Sequence, residues 1–355
     1  MKDLLKLYGV LKPTFEKIYN IHLCGVDELD ELLGFIDEYW QKGHVLTKSK
    51  ELLNWQHFDK NNQCYNFVIA TTNDTGEIHG ILGFILSSIY DYDITTPIRW
   101  GAIWKIREDV AVKGLGVMLK GFLEQKVPVN YIGGVGLSKY SKAIDKKLGE
   151  RMGRLSQYYI ANPYIKDYKL ISNPLFQDNI PKNNKRLRYI LEENFVEYAK
   201  KIENKIMPYK SVKYYINRYY RHPIYKYESI GIVENDEVIA ILMIRKAYYK
   251  QDSCIFVVDF IGNGSELSGC YEQFLDLLQR NSAEYICFPC CGIKDSYMRE
   301  AGFCLRDDSS VILPIYYEPF ERKNVELDFH FWTDSKFSDE IIVKGDSDQD
   351  RPNRI

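Results

Sequence analysis

The stretch "AIWKIREDVAVKGLGVMLKGFL", Ala102–Leu123, decides how this chain is read. It opens on an apolar run centred on Trp104, Lys105 and Ile106, passes through a loop of small residues, and ends with apolar positions at helical spacing. The segment "VKGLGV", Val112–Val117, therefore puts Gly114 and Gly116, flanking Leu115, at the joint between a strand and a helix. Backbone N–H groups converge at a helix start, and glycine lets a ligand approach them closely, so the joint suits an anion such as a pyrophosphate. Lys113 adds a positive charge. A glycine pair at that spacing also serves an ordinary turn or a different nucleotide site.

Outward from this stretch the order of elements becomes regular. Upstream, "YNFVIATT" (Tyr65–Thr72) and "ILGFILSSIY" flank the turn "DTGEIHG" (Asp74–Gly80) and predict a hairpin, and residues 1–40 carry a helical pattern. Downstream, "VNYIGGVGLS" (Val129–Ser138) predicts a strand and "KYSKAIDKKLGERMG" a helix. Residues 166–190 are polar, carry prolines and are expected to be a linker. Beyond them the order starts again, from "YILEENFVEYAKKIENKI" through "SIGIVENDEVIAILMIRKAYYK", "CIFVVDFIG", "LSGCYEQFLDLLQRN" and "AEYICFPCC" to "DSYMREAGF". This is a repeat of architecture without a repeat of sequence. It predicts two α/β units of similar plan, at 1–165 and 191–355.

The half-repeat resembles the GNAT superfamily of N-acyltransferases. There the strand offers backbone N–H groups to a thioester, and a Q/R-x-x-G-x-G/A loop opens the helix that holds the coenzyme A pyrophosphate. The resemblance implies acetyl-CoA or another acyl-CoA as co-substrate, held by Trp104, Lys105, Ile106, Val112, Lys113, Gly114, Leu115, Gly116 and Val117. Ala111 stands at the Q/R position, a departure. The family's tyrosine acid precedes a glycine-phenylalanine pair. In the first half Asp145, four residues before Gly149, stands in its place, whereas the second half keeps "YMREAGF" at Tyr297–Phe303. The second half's loop, "GNGSELSG" (Gly262–Gly269), is longer and carries Glu266, which repels phosphate. The expected fold class is thus α/β, with α+β mixed sheets in two tandem GNAT-like domains, the second lacking a standard pyrophosphate loop.

The chain closes on "GDSDQDRPN", Gly345–Asn353. Asp346, Asp348 and Asp350 recur at every second residue and share one face of an extended segment. An EF-hand loop starts in this way, but Arg351 stands in the glycine's place and no acidic twelfth position follows. The ending resembles tandem-GNAT proteins of bacterial surface-polysaccharide (O-antigen or capsule) biosynthesis, which implies an amino-sugar acceptor, nucleotide-linked. Carboxylates suit sugar hydroxyls and an ammonium, and an arginine orients them or pairs with phosphate. The candidates for proton transfer are His57, Asp346 and Asp348. Trp55, Asp350, Arg351 and Asn353 are expected to contact the acceptor.

Composition narrows the partners. The chain has 355 residues, 45% hydrophobic and 27% charged, with 47 basic residues against 49 acidic ones. A balanced surface does not favour nucleic acid, which weighs against an otherwise parallel reading as an aminoacyl-tRNA-dependent peptidyl transferase. A non-catalytic acyl-CoA or sugar-binding module is the reading from another class. The N-terminus is amphipathic and unlike a signal peptide, and no apolar run approaches a membrane span, so a cytoplasmic protein without membrane insertion is expected. "CFPCC" (Cys287–Cys291) contains a C-x-x-C without a second pair to complete a zinc set, so these cysteines are expected to be buried in a strand and no metal is assigned. The run "YYINRYYRHPIYKY" (Tyr214–Tyr227) reads as a helix packing between domains or a platform for a base.

Overall fold

The computed structural model describes residues 2–178, 180–182, 185–202, 206–307, 310–333 and 340–353. In chain order its elements begin α1 (Lys2–Phe15), β1 (Tyr19–Gly25), α2 (Leu29–Phe35), α3 (Val45–Lys48), α4 (Lys50–His57), β2 (Phe58–Asp59), β3 (Cys64–Thr72) and β4 (Ile78–Leu86). They continue with β5 (Ile98–Ile106), α5 (Leu115–Lys126), β6 (Tyr131–Val135), α6 (Lys139–Lys147), β7 (Arg151–Arg154), β8 (Ser156–Ala161), β9 (Arg186–Ile190), α7 (Glu192–Lys201) and α8 (Val212–Tyr215). The remainder are β10 (Tyr227–Glu234), β11 (Glu237–Tyr249), β12 (Asp252–Ile261), α9 (Tyr271–Arg280), β13 (Ala283–Cys291), α10 (Asp295–Glu300), β14 (Cys304–Leu305), β15 (Asp328–Thr333) and β16 (Ile342–Val343).

The chain divides into two compact units. The first is Met1–Gly153 with Phe329–Lys336 and Pro352–Ile355, and the second is Arg154–Asp328 with Phe337–Arg351. In the first, the sheet runs β1-β3-β4-β5-β6-β15-β7 with β2 beside β3. Strand β5 is antiparallel to β4, and between Leu82↔Trp104 and Phe84↔Gly101 it carries one extra residue, a bulge that redirects the strand. Its ladder to parallel β6 covers only Ile98↔Tyr131, Arg99↔Ile132 and Trp100↔Gly133, although β5 continues to Ile106. The two parallel strands therefore diverge after Trp100 and Gly133. Helices α1 and α5 cover one face, where Tyr8, Phe15, Val68, Leu82, Phe84, Leu115, Met118 and Leu119 form the core.

The second unit repeats the plan. Its sheet runs β14-β8-β13-β12-β11-β10-β9 with β16 beside β13. The β10–β11 hairpin turns at Asn235 and Asp236, whose φ values of 49° and 66° suit the short polar side chains placed there. Parallel β12 and β13 also diverge, after Phe256↔Cys287. Here the gap is filled by the chain's own tail. Strand β16 pairs antiparallel with β13 at Cys290↔Val343 and Cys291↔Ile342, Lys344 N donates to Pro289 O (3.2 Å), and Gly345 N donates to Val258 O on β12 (2.8 Å).

Several expectations are corrected. Residues 1–40 are not helical throughout, because Tyr19–Gly25 pairs with β3 as a strand. The boundary falls at Gly153 and Arg154 instead of near 165, since β8 pairs with β13 of the second sheet, while β15, expected in the second unit, pairs with β6 of the first. Residues 166–190 are not a free linker. Leu170 and Ile171 are fully buried, and the Glu284 carboxylate accepts the N–H groups of Lys169, Leu170 and Ile171 at 2.6, 2.8 and 3.2 Å. The tyrosine run packs inside the second unit, with Tyr214, Tyr215, Tyr219 and Tyr227 buried. Cys287 and Cys290 are buried in β13 as expected, and three residues apart in a strand they point to opposite faces. Among the described residues no helix is long and apolar enough to cross a membrane.

Candidate functional site

The loop of the opening stretch adopts the strand–loop–helix geometry expected of it. Gly114 is the residue before α5, with φ at +101°, a left-handed conformation that a side chain would strain. The loop is held from below. Tyr19 Oη accepts the N–H of Val112 (3.1 Å), and the N–H of Leu115 folds back to Val112 O (3.1 Å). Met118 N–H makes the first helical bond to Gly114 O (3.1 Å). Among the described residues no acceptor for the N–H groups of Gly116 and Val117 is found, as the first turn of a helix requires unless a cap or ligand supplies one. No side chain caps this end, no acidic residue sits in its first turn, and Val112 and Lys113 are exposed beside it. These are the properties of an anion site. The equivalent position in the second unit is acidic instead: a 3-10 turn at Gly264–Leu267 precedes α9, Glu266 lies in that turn facing Lys185 at 3.6 Å, and Glu272 opens the helix.

Gly116 also has a packing role that its spacing did not announce. A Cβ there would lie 3.3 Å from Cζ2 of Trp104, so this glycine lets α5 press against the Trp104 indole of β5. Leu115 is buried in the core, Val117, Lys105 and Ile106 are half-buried, and the arm of β5 that carries Trp104, Lys105 and Ile106 lies beyond its last ladder pair with β6.

The other expected site residues make contacts of their own. His57 is fully buried on α4, its ring 4.6 Å from that of Phe67 and its Nδ1 3.0 Å from the carbonyl oxygen of Phe84. Trp55, on the same helix, packs on Tyr90 with ring centroids 4.9 Å apart. The tail does not extend after β16 but winds through turns, with Ser347 at φ +59°, so its aspartates do not share a face. Asp346 is fully buried, accepts the N–H of Val343 (2.9 Å) and faces Lys210 Nζ at 2.8 Å. The same ammonium donates to both oxygens of Asp259 (2.9 and 2.8 Å). Burial pushes the Asp346 carboxyl up to about 6 against the pull of Lys210. Asp350, also fully buried, accepts from Arg245 Nε and Nη2 (3.1 and 2.9 Å), Lys344 Nζ (2.6 Å) and Tyr227 Oη (2.7 Å). Burial opposes its ionisation, and the two cations overcome that, holding it well below the usual carboxylate range. Asp348 is taken by Arg351 Nε at 3.3 Å, and Asn353 is half-buried.

The tyrosine position also shifts. Glu150 N–H donates to Asp145 O (3.1 Å) around Gly149, just as Phe303 N–H donates to Met298 O (2.9 Å) around Gly302. Asp145 therefore corresponds to Met298, and the counterpart of Tyr297 is Ile144. Sequence reasoning left His330 in a strand without a role and did not weigh Lys120 or Glu150, which with Asp145 form a buried cluster beside α5. His330 lies nearly two hundred residues along the chain from them, so no local spacing marks the group.

No protein-family model and no curated protein matches this chain. Solved structures do match. A GCN5-related N-acetyltransferase from Anabaena variabilis aligns with a TM-score of 0.51 at 11% identity, over 88% of this chain and 72% of its own. One from Kribbella flavida aligns with a TM-score of 0.49 at 8% identity, over 89% and 71%. The Saccharomyces cerevisiae N-myristoyltransferase with bound myristoyl-CoA aligns with a TM-score of 0.41 at 10% identity, over 89% and 79%. The first of these shows that the chain shares the tandem fold of a GCN5-related N-acetyltransferase.

Proposed function

We propose that this protein is an acyl-CoA-dependent N-acyltransferase whose first unit holds acetyl-CoA or another acyl-CoA. One observation carries the reading: the uncapped, acid-free start of α5 stands next to the arm of β5 that has left its parallel neighbour. The pyrophosphate is bound by the first-turn N–H groups beside Gly114, with Lys113 adding charge, and the thioester lies along Trp104–Ile106. Binding the acyl-CoA puts an activated carbonyl beside backbone donors, which stabilise the oxyanion as an amine attacks. The second unit takes no acyl-CoA, since the tail fills its gap and acidic residues flank its helix start.

The acceptor is an amine, and we propose the amine of a nucleotide-linked amino sugar used in surface-glycan synthesis. The support for that class is the resemblance of the "GDSDQDRPN" ending, with Asp348, Arg351 and Asn353 as its proposed contacts; Asp346 and Asp350 are buried in ion pairs of the second unit. Calorimetry with acetyl-CoA, followed by thiol release with nucleotide-linked amino sugars and with charged tRNA as alternative acceptors, tests both parts. Gly114→Ala, which forces a side chain into the left-handed region, is expected to weaken acetyl-CoA binding about tenfold; unchanged affinity in the folded variant would place the cofactor elsewhere.

A further inference from the structure

Four ionisable side chains are buried together in the first unit. Lys120 on α5, Asp145 near the end of α6, Glu150 just beyond it and His330 on β15 are exposed by 6%, 2%, 6% and 6%. Lys120 Nζ donates to Asp145 Oδ1 (2.6 Å) and Glu150 Oε1 (2.9 Å). The other oxygen of Glu150 is bonded to His330 Nδ1, while His330 Nε2 lies 3.9 Å from Asp145 Oδ2, outside hydrogen-bond range. Burying an ion cluster brings little net stability compared with apolar residues of the same volume, so its presence asks for a reason.

The place of the cluster supplies one. His330 pairs with Gly134, the residue after Gly133, which closes the β5–β6 ladder. A Cβ on Gly134 would lie 2.6 Å from His330 Nε2, so that nitrogen rests against the backbone of β6 where the strands part. On the other arm, Lys120 Nζ is 5.9 Å from the ring centroid of Trp104. The four groups thus span the divergence of β5 and β6, the same place at which the acyl-CoA reading puts the thioester.

Asp145, Glu150 and His330 have ligand atoms within 4.8 Å of one another, as a metal site would. The Lys120 ammonium, however, already lies against both carboxylates and supplies the positive charge such a site would take from an ion.

We propose that His330 is the general base of the acyl transfer, with Glu150 its positioning residue and Lys120 and Asp145 fixing the charge around the pair; this rests on the acyl-CoA reading above. Burial opposes ionisation of Glu150, but its bonds from His330 and Lys120 hold the carboxyl down to about 2. An ionised Glu150 accepts, so the imidazole proton stays on Nδ1 and the Nε2 lone pair is available. The acceptor amine forms a bond to the thioester carbonyl carbon, the C–S bond breaks with its electron pair on sulfur, and the proton lost by nitrogen passes to Nε2, directly or through one water. The imidazolium returns it to the thiolate. Amide and free coenzyme A thiol leave, and the base is restored.

The test uses the full chain, with calorimetric binding of acetyl-CoA and its thiol release followed across pH, both with water alone as acceptor and with the best amine found. His330→Gln is expected to bind acetyl-CoA within about twofold of wild type, to lose roughly 10²–10⁴-fold in kcat, and to lose the acid limb of the kcat profile. Glu150→Gln removes the acceptor that holds the imidazole proton on Nδ1, so kcat falls while the affinity for acetyl-CoA stays within about twofold of wild type. Should His330→Gln fail to fold, wild-type kcat in a folded Glu150→Gln overturns the proposal. Wild-type turnover and pH profile in a folded His330→Gln overturn the role of His330 alone. Absence of acetyl-CoA binding by the unmodified protein overturns the acyl-CoA reading and this proposal with it.

Discussion

Asp350→Asn distinguishes a structural tail from a substrate-binding one. The substitution keeps the shape of the side chain and removes its charge. In the folded protein the carboxylate holds two buried cations, Arg245 and Lys344, exposed by 5% and 2%, together with the hydroxyl of Tyr227. An asparagine offers one carbonyl oxygen to these donors and turns an NH2 group towards a cation. Removing one partner of a buried ion pair typically costs about 3–5 kcal/mol, a large fraction of the roughly 5–15 kcal/mol that stabilises a domain. Asp348→Asn, which keeps one oxygen for the 3.0 Å bond from Gln349 and loses the charge and the oxygen that face Arg351 at 3.3 Å, is expected to cost about 1 kcal/mol. Urea unfolding should be followed by far-ultraviolet circular dichroism, because all five tryptophans lie in the first unit and their fluorescence does not report on the second. The pH dependence gives a second handle. The folded carboxyl of Asp350 titrates well below its unfolded value of about 3.9, so its stabilisation is present above that value and is lost as pH falls towards the folded one. Asp350→Asn should lack this acid-induced loss. A destabilisation below about 1 kcal/mol, with a raised KM for the amine acceptor, would refute the structural assignment and return Asp350 to the acceptor site.

Asp346 should behave in the opposite sense: its folded carboxyl, at about 6, lies above the unfolded value of about 3.9, so stability falls as pH rises between the two. Asp346→Asn is expected to flatten that slope and to cost less at pH 8 than Asp350→Asn does, as urea midpoints at pH 5 and pH 8 will show. His57→Ala empties a fully buried site against Phe67 and is expected to cost about 2–4 kcal/mol while leaving kcat per folded molecule unchanged; a selective loss of kcat with normal stability would make His57 a catalytic residue after all.

What the sequence made legible was what neighbouring residues decide. The strand, glycine loop and helix of Ala102–Leu123 are local, and each half's hairpin announces itself by a polar turn between apolar runs. The pairing of distant strands left no such trace. Nothing in "LDFHFWTDS" says that β15 pairs with β6 across nearly two hundred residues, or that Ser156–Ala161 belongs to the second sheet. Once those strands cross, the reading of charged residues changes with them. Alternating aspartates look like a ligand surface only while the segment is taken as extended and exposed; buried in the second unit, Asp346 meets Lys210 and Asp350 meets Arg245, residues far away in the chain, with Lys344 of the tail itself beside Asp350. The exchange that carries the tail into the second unit's gap is preceded by the one that carries His330 to the first unit's. The same stretch of chain thus puts a plug at one divergence of parallel strands and the His330 ring at the other, which lines the corresponding places of two units of one plan with different groups.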